Sequence, residues 1–192
     1  MQHEYTIFDT KNGFAALAWN ENGVSSLRLP ASSEARAEAS VLRRFPQARR
    51  TTPSTQMASL ISEIKRYFDG EKVDFSAVPV DMGSQDPFFA RVYAEVRKLG
   101  WGETTTYGAV AKVLGAEPQA ARDVGQAMAS NPIPLIVPCH RVLAAGGKIG
   151  GFSAPGGASA KAKMLEIEGM PLADQKTRAT DNKEREQTSF DF

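Results

Sequence analysis

The chain has few residues that could crosslink it or hold a metal ion. Its 192 residues include one cysteine and two histidines. A single cysteine cannot form a disulfide within the chain, and these side chains are too few for a structural zinc site. We therefore predict a protein without a bound metal, in a reducing cytoplasm.

Long hydrophobic runs and a charge excess are also absent. No apolar stretch approaches the ~20 residues that a membrane-spanning helix needs. The first residues, MQHEYTIFDTKNG, lack the basic and then apolar layout of a signal peptide. We therefore expect no membrane association. The formal net charge is +1, and no segment is strongly basic, so any claim of nucleic-acid binding must rest on a motif.

Residues 1–82 have the pattern of a small domain with a sheet and helices. Three apolar-rich stretches (YTIFDT, FAALAW and VSSLRL) are separated by the hairpin-type turn signals KNG and NENG. Two helical patterns follow, SSEARAEASVLRRF with a serine N-cap and STQMASLISEIKRYFDG, which Gly70 closes. The next stretch, KVDFSAVPVDM, predicts a return to extended structure.

A different pattern begins at residue 83. Asp86 and Pro87 are typical of a helix start, and Gly100 is the predicted end of that helix. TTYGAVAKVLG and PQAARDVGQAMASN then predict a helix-turn-helix. The predicted fold class is α+β: a small N-terminal sheet-plus-helix domain over residues 1–82, followed over residues 83–170 by a mainly helical, winged-helix-like domain. Residues 171–192 are polar and aperiodic, which predicts a disordered tail.

The one cysteine, Cys139, lies in NPIPLIVPCHRV directly before His140. A lone cysteine among apolar residues is commonly a small buried hydrophobe. Neighbouring residues of an extended segment point to opposite faces, so the thiol and the imidazole need not touch. A cysteine hydrolase would take its histidine from elsewhere in the chain, where only His3 remains. The pair alone therefore does not decide between a structural and a catalytic cysteine.

Four motifs change this balance: TTYGAVA, AARDVGQAM, NPIPLIVPCHRV with GGFS, and EIEG. In this order and spacing they resemble the O6-alkylguanine-DNA alkyltransferases, also called methylated-DNA–protein-cysteine methyltransferases. The resemblance covers residues 83–170 and extends to the first domain only in layout. It implies DNA repair in which an alkyl group moves, once per molecule and without a cofactor, from guanine O6 in double-stranded DNA to a cysteine. The resemblance leaves thymine O4 open as a second substrate atom.

The resemblance assigns four residues to this chemistry. Cys139 is the implied nucleophile, His140 the base that takes the thiol proton through a water, and Glu168 the acid that orients His140. A base is needed because an unperturbed thiol is only about one-tenth ionised near neutral pH. Tyr107 is implied to assist the leaving guanine and to crowd the phosphate of the lesion. Without the motif, Glu168 would be interpreted as a solvated carboxylate at a helix end and Tyr107 as a packing residue.

Three further residues are implied to bind DNA. The O6 atom of a paired guanine cannot be reached in the duplex, so the nucleotide must be rotated out. Arg122 matches the arginine that fills the vacated space. Ala120 and Ala121 are small enough to let their helix approach the minor groove closely. From the pattern alone, Arg122 is equally well a surface arginine.

Four positions are implied to form the pocket for the base. Asn131 would connect the second helix of the helix-turn-helix to the turn that carries Cys139. The carbonyl of Val142 would accept a hydrogen bond from the guanine amino group, and Ser153 would contact O6. Phe152 stands where the family often has tyrosine. The stretch SAPGGASAKAK is about two residues longer than is usual in the family, so the resemblance does not fix the preference among alkyl groups.

Two other functions stay open from the sequence. A non-catalytic alkyl-lesion-binding protein would flag damage for another pathway, but such proteins lack the acceptor cysteine that this chain has. A cysteine hydrolase would turn over repeatedly and would need a distant histidine.

The chain end, QTSFDF, has two interpretations. It resembles peptides that bind the bacterial sliding clamp, here through Gln187, Phe190 and Phe192, or it is a frayed tail. We further expect a cytoplasmic monomer that associates with the nucleoid when it binds DNA. We expect the first domain to be a scaffold that does not contact the lesion.

Overall fold

The computed structural model describes residues 1–150 and 157–170. We call residues 1–82 the first segment. It contains β1 (Glu4–Thr10), β2 (Gly13–Asn20), β3 (Gly23–Ala31), α1 (Glu34–Arg44), β4 (Arg49–Arg50) and α2 (Thr55–Phe68). The sheet order is β3-β2-β1-β4, with antiparallel hairpins and a parallel pairing of β1 with β4. The three predicted strands and two predicted helices are all present. Strand β4 was not predicted because two residues are too few to show a period.

Local sequence accounts for the turns and helix starts of this segment. In the NENG turn, Gly23 has a φ of 144°, and a Cβ atom there would lie 2.6 Å from the carbonyl oxygen of Pro79. Only glycine fits such a position. The hydroxyl of Ser33 accepts a hydrogen bond from the backbone N–H of Arg36 and so caps α1. The predicted serine N-cap is confirmed.

The segment KVDFSAVPVDM, predicted to be extended, forms no regular strand and makes a turn at Ser76 and Ala77. Within the described residues it pairs with the sheet through one isolated bridge between Val80 and Val24. The N–H of Val24 donates to the carbonyl of Pro79 at 2.9 Å, and the N–H of Asp81 donates to Val24 at 2.8 Å. Because Pro79 has no N–H, the ladder cannot continue through it.

The second segment begins at residue 83, and its described residues are mainly helical. Its elements are α3 (Pro87–Val96), β5 (Thr105–Thr106), α4 (Tyr107–Val113), α5 (Ala121–Ala129), β6 (Val142–Leu143) and α6 (Gly157–Ile167). Short 3-10 turns occupy Pro118–Ala120, Cys139–Arg141 and Ala145–Gly147. Helices α4 and α5 pack against each other, which confirms the predicted helix-turn-helix.

Helix α3 begins as predicted and ends early. The carboxylate of Asp86 accepts hydrogen bonds from the N–H groups of Phe88 and Phe89, and Pro87 occupies the first turn. The helix ends at Val96 rather than just before Gly100. Leu99 packs in the core of the second segment from the turns that follow.

Two apolar cores meet at the stretch between α5 and β6. One core combines the sheet and α2 with Ile133, Leu135 and Ile136, and the other combines α3, α4 and α5 with Val137 and Cys139. The stretch that carries the cysteine is therefore buried between the two segments. The domain boundary at residue 82 stays a prediction. Among the described helices, none is both long and apolar enough to cross a membrane.

Candidate active site

A tight, buried turn presents Cys139. The side chain of Asn131 donates to the carbonyl of Val137 at 2.8 Å and accepts from the N–H of Ile133 at 3.0 Å. Between Ile133 and Val137, the buried residue Leu135 has a φ of 78°. This left-handed backbone conformation costs energy for a leucine. The chain thus folds back after α5 and reaches Cys139 at the start of a 3-10 turn.

The thiol of Cys139 is protonated in this environment at neutral pH. The residue is 3% exposed, and burial raises the pKa of its thiol. A hydrogen bond with the Asn131 side chain, the positive charge of Lys161 and the backbone N–H groups of Cys139 and His140 oppose this rise without cancelling it. The site can stabilise a thiolate, but a base must first remove the proton.

His140 and Glu168 form a buried pair. Nε2 of His140 lies 2.6 Å from Oε1 of Glu168, and both side chains are inaccessible to solvent. Burial lowers the pKa of His140, against the opposing effect of Glu168. Burial also favours the neutral form of Glu168, but hydrogen bonds from His140 and Arg141 outweigh it and lower the pKa of Glu168 to about 2. The pair is therefore a neutral imidazole beside an ionised carboxylate.

This charge state fixes the tautomer of His140. A carboxylate can only accept hydrogen bonds, so Nε2 must carry the imidazole proton. Nδ1 is then an unprotonated acceptor. It is buried and has no hydrogen-bond partner among the described residues. The free nitrogen of His140 is thus available to take a proton.

Glu168 is held by three groups besides His140, none of them predicted from the sequence. Arg141 forms a fork, with Nε at 2.9 Å from Oε2 and Nη2 at 3.0 Å from Oε1. The N–H of Gly102 lies 3.2 Å from Oε2, and the hydroxyl of Tyr67 lies 3.0 Å from Oε1. The interpretation of Glu168 as a solvated carboxylate is wrong, because the residue is buried. For Arg141 its position directly after His140 was a usable signal, whereas no feature of the sequence singled out Tyr67.

A buried lysine connects Tyr107 with Val142. Nζ of Lys161 donates to the carbonyl of Val142 at 2.6 Å and lies 3.3 Å from the hydroxyl of Tyr107. Burial lowers the pKa of Lys161 to about 8, with the nearby Cys139 acting in the opposite direction. Lys161 was also missed, although it lies seven residues before Glu168 and therefore near the same face of α6.

The residues implied to bind DNA lie at the start of α5. Arg122 is in the first turn and exposed, and it makes no ion pair or side-chain hydrogen bond with any residue that the structure describes. Ala120 and Ala121 are partly exposed where the 3-10 turn meets α5. Phe152 and Ser153 lie outside the described residues, as do the tail residues Gln187, Phe190 and Phe192.

The predicted site residues thus fall into two groups. In the first group, His140 pairs with Glu168, Lys161 joins Tyr107 to Val142, and Asn131 forms a hydrogen bond with Cys139. In the second, Arg122 and its two alanines lie on the surface at the start of α5. In residues 1–150 and 157–170, no group of three or more His, Cys, Asp and Glu side chains could hold a metal ion.

Comparison with known proteins agrees with this geometry. Residues 87–170 match the family model described as "6-O-methylguanine DNA methyltransferase, DNA binding domain". A methylated-DNA–protein-cysteine methyltransferase of Sulfolobus acidocaldarius is 34% identical over 88% of this chain and 94% of its own. The structure of Mycobacterium tuberculosis OGT in complex with DNA aligns with a TM-score of 0.68 and 34% identity, over 86% of this chain and 92% of that one.

A helix-turn-helix beside a buried cysteine, a histidine and a carboxylate defines a DNA-binding protein with a reactive thiol. More specifically, the chain belongs to the methylated-DNA–protein-cysteine methyltransferase family. The resemblance found in the sequence is confirmed, and so is the α+β fold class.

Proposed function

We propose that this protein repairs DNA by moving a methyl or other alkyl group from guanine O6 to Sγ of Cys139, once per molecule. The observation that carries this proposal is the buried Cys139 followed by an imidazole whose Nε2–H is held by ionised Glu168 and whose Nδ1 is free. Membership of the family supports the same reaction. A non-catalytic lesion-binding function is not favoured, because the acceptor cysteine is present.

The first step is a proton transfer. Nδ1 of His140 takes the thiol proton of Cys139 through a bridging water, and the resulting imidazolium is stabilised by Glu168 through Nε2. The thiolate is stabilised by the charge of Lys161, by Asn131 and by nearby backbone N–H groups. Because burial disfavours an isolated thiolate, the thiolate of Cys139 and the imidazolium of His140 must form together.

The second step is alkyl transfer. The thiolate attacks the alkyl carbon, a carbon–sulfur bond forms, and the carbon–oxygen bond breaks with its electron pair left on guanine. The proton taken from the thiol is returned to guanine, so that no cofactor or further reactant is required. Tyr107, whose hydroxyl lies beside the ammonium group of Lys161, assists the departing base. The product thioether has no easy leaving path, which makes the reaction single-turnover.

The DNA would approach along α5. Arg122 is free to enter the space that the rotated nucleotide leaves, and Ala120 and Ala121 permit close contact with the minor groove. The carbonyl of Val142 accepts from Lys161 but keeps a second lone pair, which suits the guanine amino group. Ser153 and Phe152 would complete the pocket.

Intact-mass measurement tests the reaction. After incubation with a duplex that contains O6-methylguanine, the protein should gain the mass of one methylene group, and the Cys139→Ala variant should not. An unchanged mass despite lesion binding would favour the non-catalytic function. Free alkyl product with an unchanged protein mass would favour a hydrolase.

We also propose that the protein acts as a monomer at the nucleoid in the cytoplasm, and that Gln187, Phe190 and Phe192 bind the sliding clamp. A weak DNA binder with a net charge of +1 would gain local concentration at replicating DNA from such a tether. Titration of the purified clamp with the full chain and with a version that ends at Glu186 tests the contact. Equal or undetectable binding by both would exclude the clamp contact.

Light scattering tests whether the protein is a monomer, and fluorescence microscopy of a tagged protein tests its location at the nucleoid.

A further inference from the structure

We propose that Tyr67, which α2 contributes from the first segment, is a positioning residue for the reaction: its hydroxyl holds Glu168 in the orientation that serves His140. This inference rests on the proposed function. It gives the first segment a part in the chemistry, beyond the scaffold that the sequence predicts.

The hydroxyl of Tyr67 lies inside the catalytic pair. It donates to Oε1 of Glu168 at 3.0 Å, and its oxygen is 3.4 Å from Nε2 of His140. The carbonyl of Met164 is also 3.4 Å away. Burial, followed by the charge of Glu168, raises the pKa of Tyr67. The phenol therefore keeps its proton near neutral pH and can donate a hydrogen bond.

Close packing restrains the ring of Tyr67 in this position. The side chain is fully buried. Phe68, Phe75 and Trp101 pack against it edge to face, with ring centroids 5.4, 6.2 and 5.5 Å from that of Tyr67. All four residues belong to a close-packed interior, where a tilt of the ring would create a cavity. The donor is therefore fixed in space before any substrate arrives.

A fixed donor matters because two residues compete for Glu168. Arg141 contacts both carboxylate oxygens and carries a permanent charge, whereas His140 contacts Oε1 alone. Without a further restraint, the carboxylate is free to turn toward Arg141 and the N–H of Gly102. Tyr67 donates to the same oxygen as His140 and restrains that oxygen beside Nε2.

The consequence concerns the proton on the thiol. The imidazolium that forms when His140 accepts this proton is stabilised by Oε1 of Glu168. If that oxygen turns away, the imidazolium loses stabilisation and the thiol of Cys139 becomes harder to ionise. Packing alone does not explain a tyrosine here, since phenylalanine would fill nearly the same volume without the buried hydroxyl.

The test compares Tyr67→Phe with Tyr5→Phe. Tyr5 is a matched control: it is buried in the first segment, and its hydroxyl donates to the carboxylate of Glu38 at 2.8 Å. Because Cys139 is the only cysteine, thiolate absorbance reports this site alone after subtraction of the matching Cys139→Ala variant. Single-turnover transfer from an O6-methylguanine duplex is measured over the same pH range, and thermal unfolding is followed for each variant.

We expect Tyr67→Phe to raise the midpoint of thiol ionisation by about half a pH unit or more and to slow transfer near neutral pH by about 3- to 10-fold. The shift is modest because the hydrogen bond from Tyr67 helps to hold Glu168 in both charge states of His140, and only the difference between the two states affects the thiol. The rates of variant and parent should converge at high pH, where the thiol ionises without help. Tyr5→Phe should overlay the parent in both profiles.

A double-mutant cycle locates the effect. If Tyr67 acts through Glu168, Tyr67→Phe should change neither profile further in a Glu168→Gln background. The proposal is overturned by an unchanged or lowered thiol midpoint, or by an equal loss of rate at all pH values, which would mark a merely structural residue. Absence of transfer in the parent would instead contradict the proposed function, and the thiol titration would still decide the part played by Tyr67.

Discussion

Two buried charges of opposite sign act on the two partners of the proposed proton transfer, His140 and Cys139. Glu168 contacts His140 and favours the imidazolium, while the charge of Lys161 acts on Cys139 and favours the thiolate. Lys161 lies in α6, and Glu168 lies in the turn directly after the last residue of that helix. Helix α6 and the turn after it thus supply a stabilising charge to each end of the ion pair that the proposed reaction forms before alkyl transfer.

Replacement of Lys161 by glutamine should raise the pKa of the Cys139 thiol by about one unit, since an opposite charge close to an acid commonly lowers its pKa by one unit or more. Transfer near neutral pH should slow accordingly. The measurement is thiolate absorbance against pH, together with single-turnover rates.

Lys163→Gln is the matched control for this change. Lys163 lies on the same helix but is exposed, so its neutralisation should leave the thiol midpoint in place. Equal shifts in the two variants would mean that Lys161 acts through net charge and not through its position beside the thiol.

At the scale of elements, the helix-turn-helix separates recognition from chemistry. Val124, Ala127 and Met128 face the core from α5, while Arg122 points to solvent from its first turn. The helix then leads directly into Asn131, whose side chain fixes the active-site turn. The helix that we propose to bind DNA is therefore continuous with the segment that carries the proposed nucleophile.

Arg122→Ala should weaken reaction with a base-paired lesion by at least about tenfold and leave reaction with free O6-alkylguanine base almost unchanged. Only the paired lesion must be rotated out of the duplex, which costs a few kcal/mol. Single-turnover rates on both substrates make the comparison.

Arg49→Ala controls for the loss of one positive charge, because Arg49 is also exposed but lies in the first segment on β4. It should lower neither rate by more than a small factor. If Arg122→Ala slows both substrates equally, Arg122 supports the fold and does not take part in nucleotide rotation.

At the scale of the whole molecule, Glu168 joins parts of the chain that are distant in sequence. Its carboxylate accepts hydrogen bonds from Tyr67 of the first segment, Gly102 after α3, and His140 and Arg141 of the active-site turn. Removal of one partner from a buried, hydrogen-bonded charge such as this strongly destabilises the folded state. The pair of His140 and Glu168 is therefore also part of what holds the two segments together.

Low pH should remove the contribution of Glu168 to the free energy of unfolding. The pKa of Glu168 is lowered from its usual 4.5 to about 2 in the folded protein. Its ionised form thus favours folding above about pH 4.5, and this stabilisation is lost as the pH falls toward 2. By linkage the full effect is about 3 kcal/mol.

Urea unfolding of the parent and of Glu168→Gln at a series of pH values tests this prediction. The free energy of unfolding should differ most near neutral pH, and the difference should narrow below about pH 4.5. Glu21→Gln, a change at an exposed carboxylate, should show no such narrowing. A constant difference between the parent and Glu168→Gln would contradict a lowered pKa.

Much of this architecture could be predicted from the sequence because its signals are local. Turn residues marked the hairpins, Ser33 and Asp86 marked helix starts, and motif order indicated the family together with Cys139, His140 and Glu168. Strand β4 and the early end of α3 could not be predicted in this way. A two-residue strand has no period, and packing of Leu99 outside the helix depends on distant partners.

The sequence by itself thus determined which helices and turns form and which residue types are available for the chemistry. Only the tertiary structure decided their charge states and contacts. Tyr67 and Glu168 are separated by 101 positions, so no periodicity relates them, and their contact arises only when the two cores close. Burial then sets the pKa values of Cys139, His140 and Lys161, because the cost of a charge depends on the surrounding protein and not on neighbours in sequence.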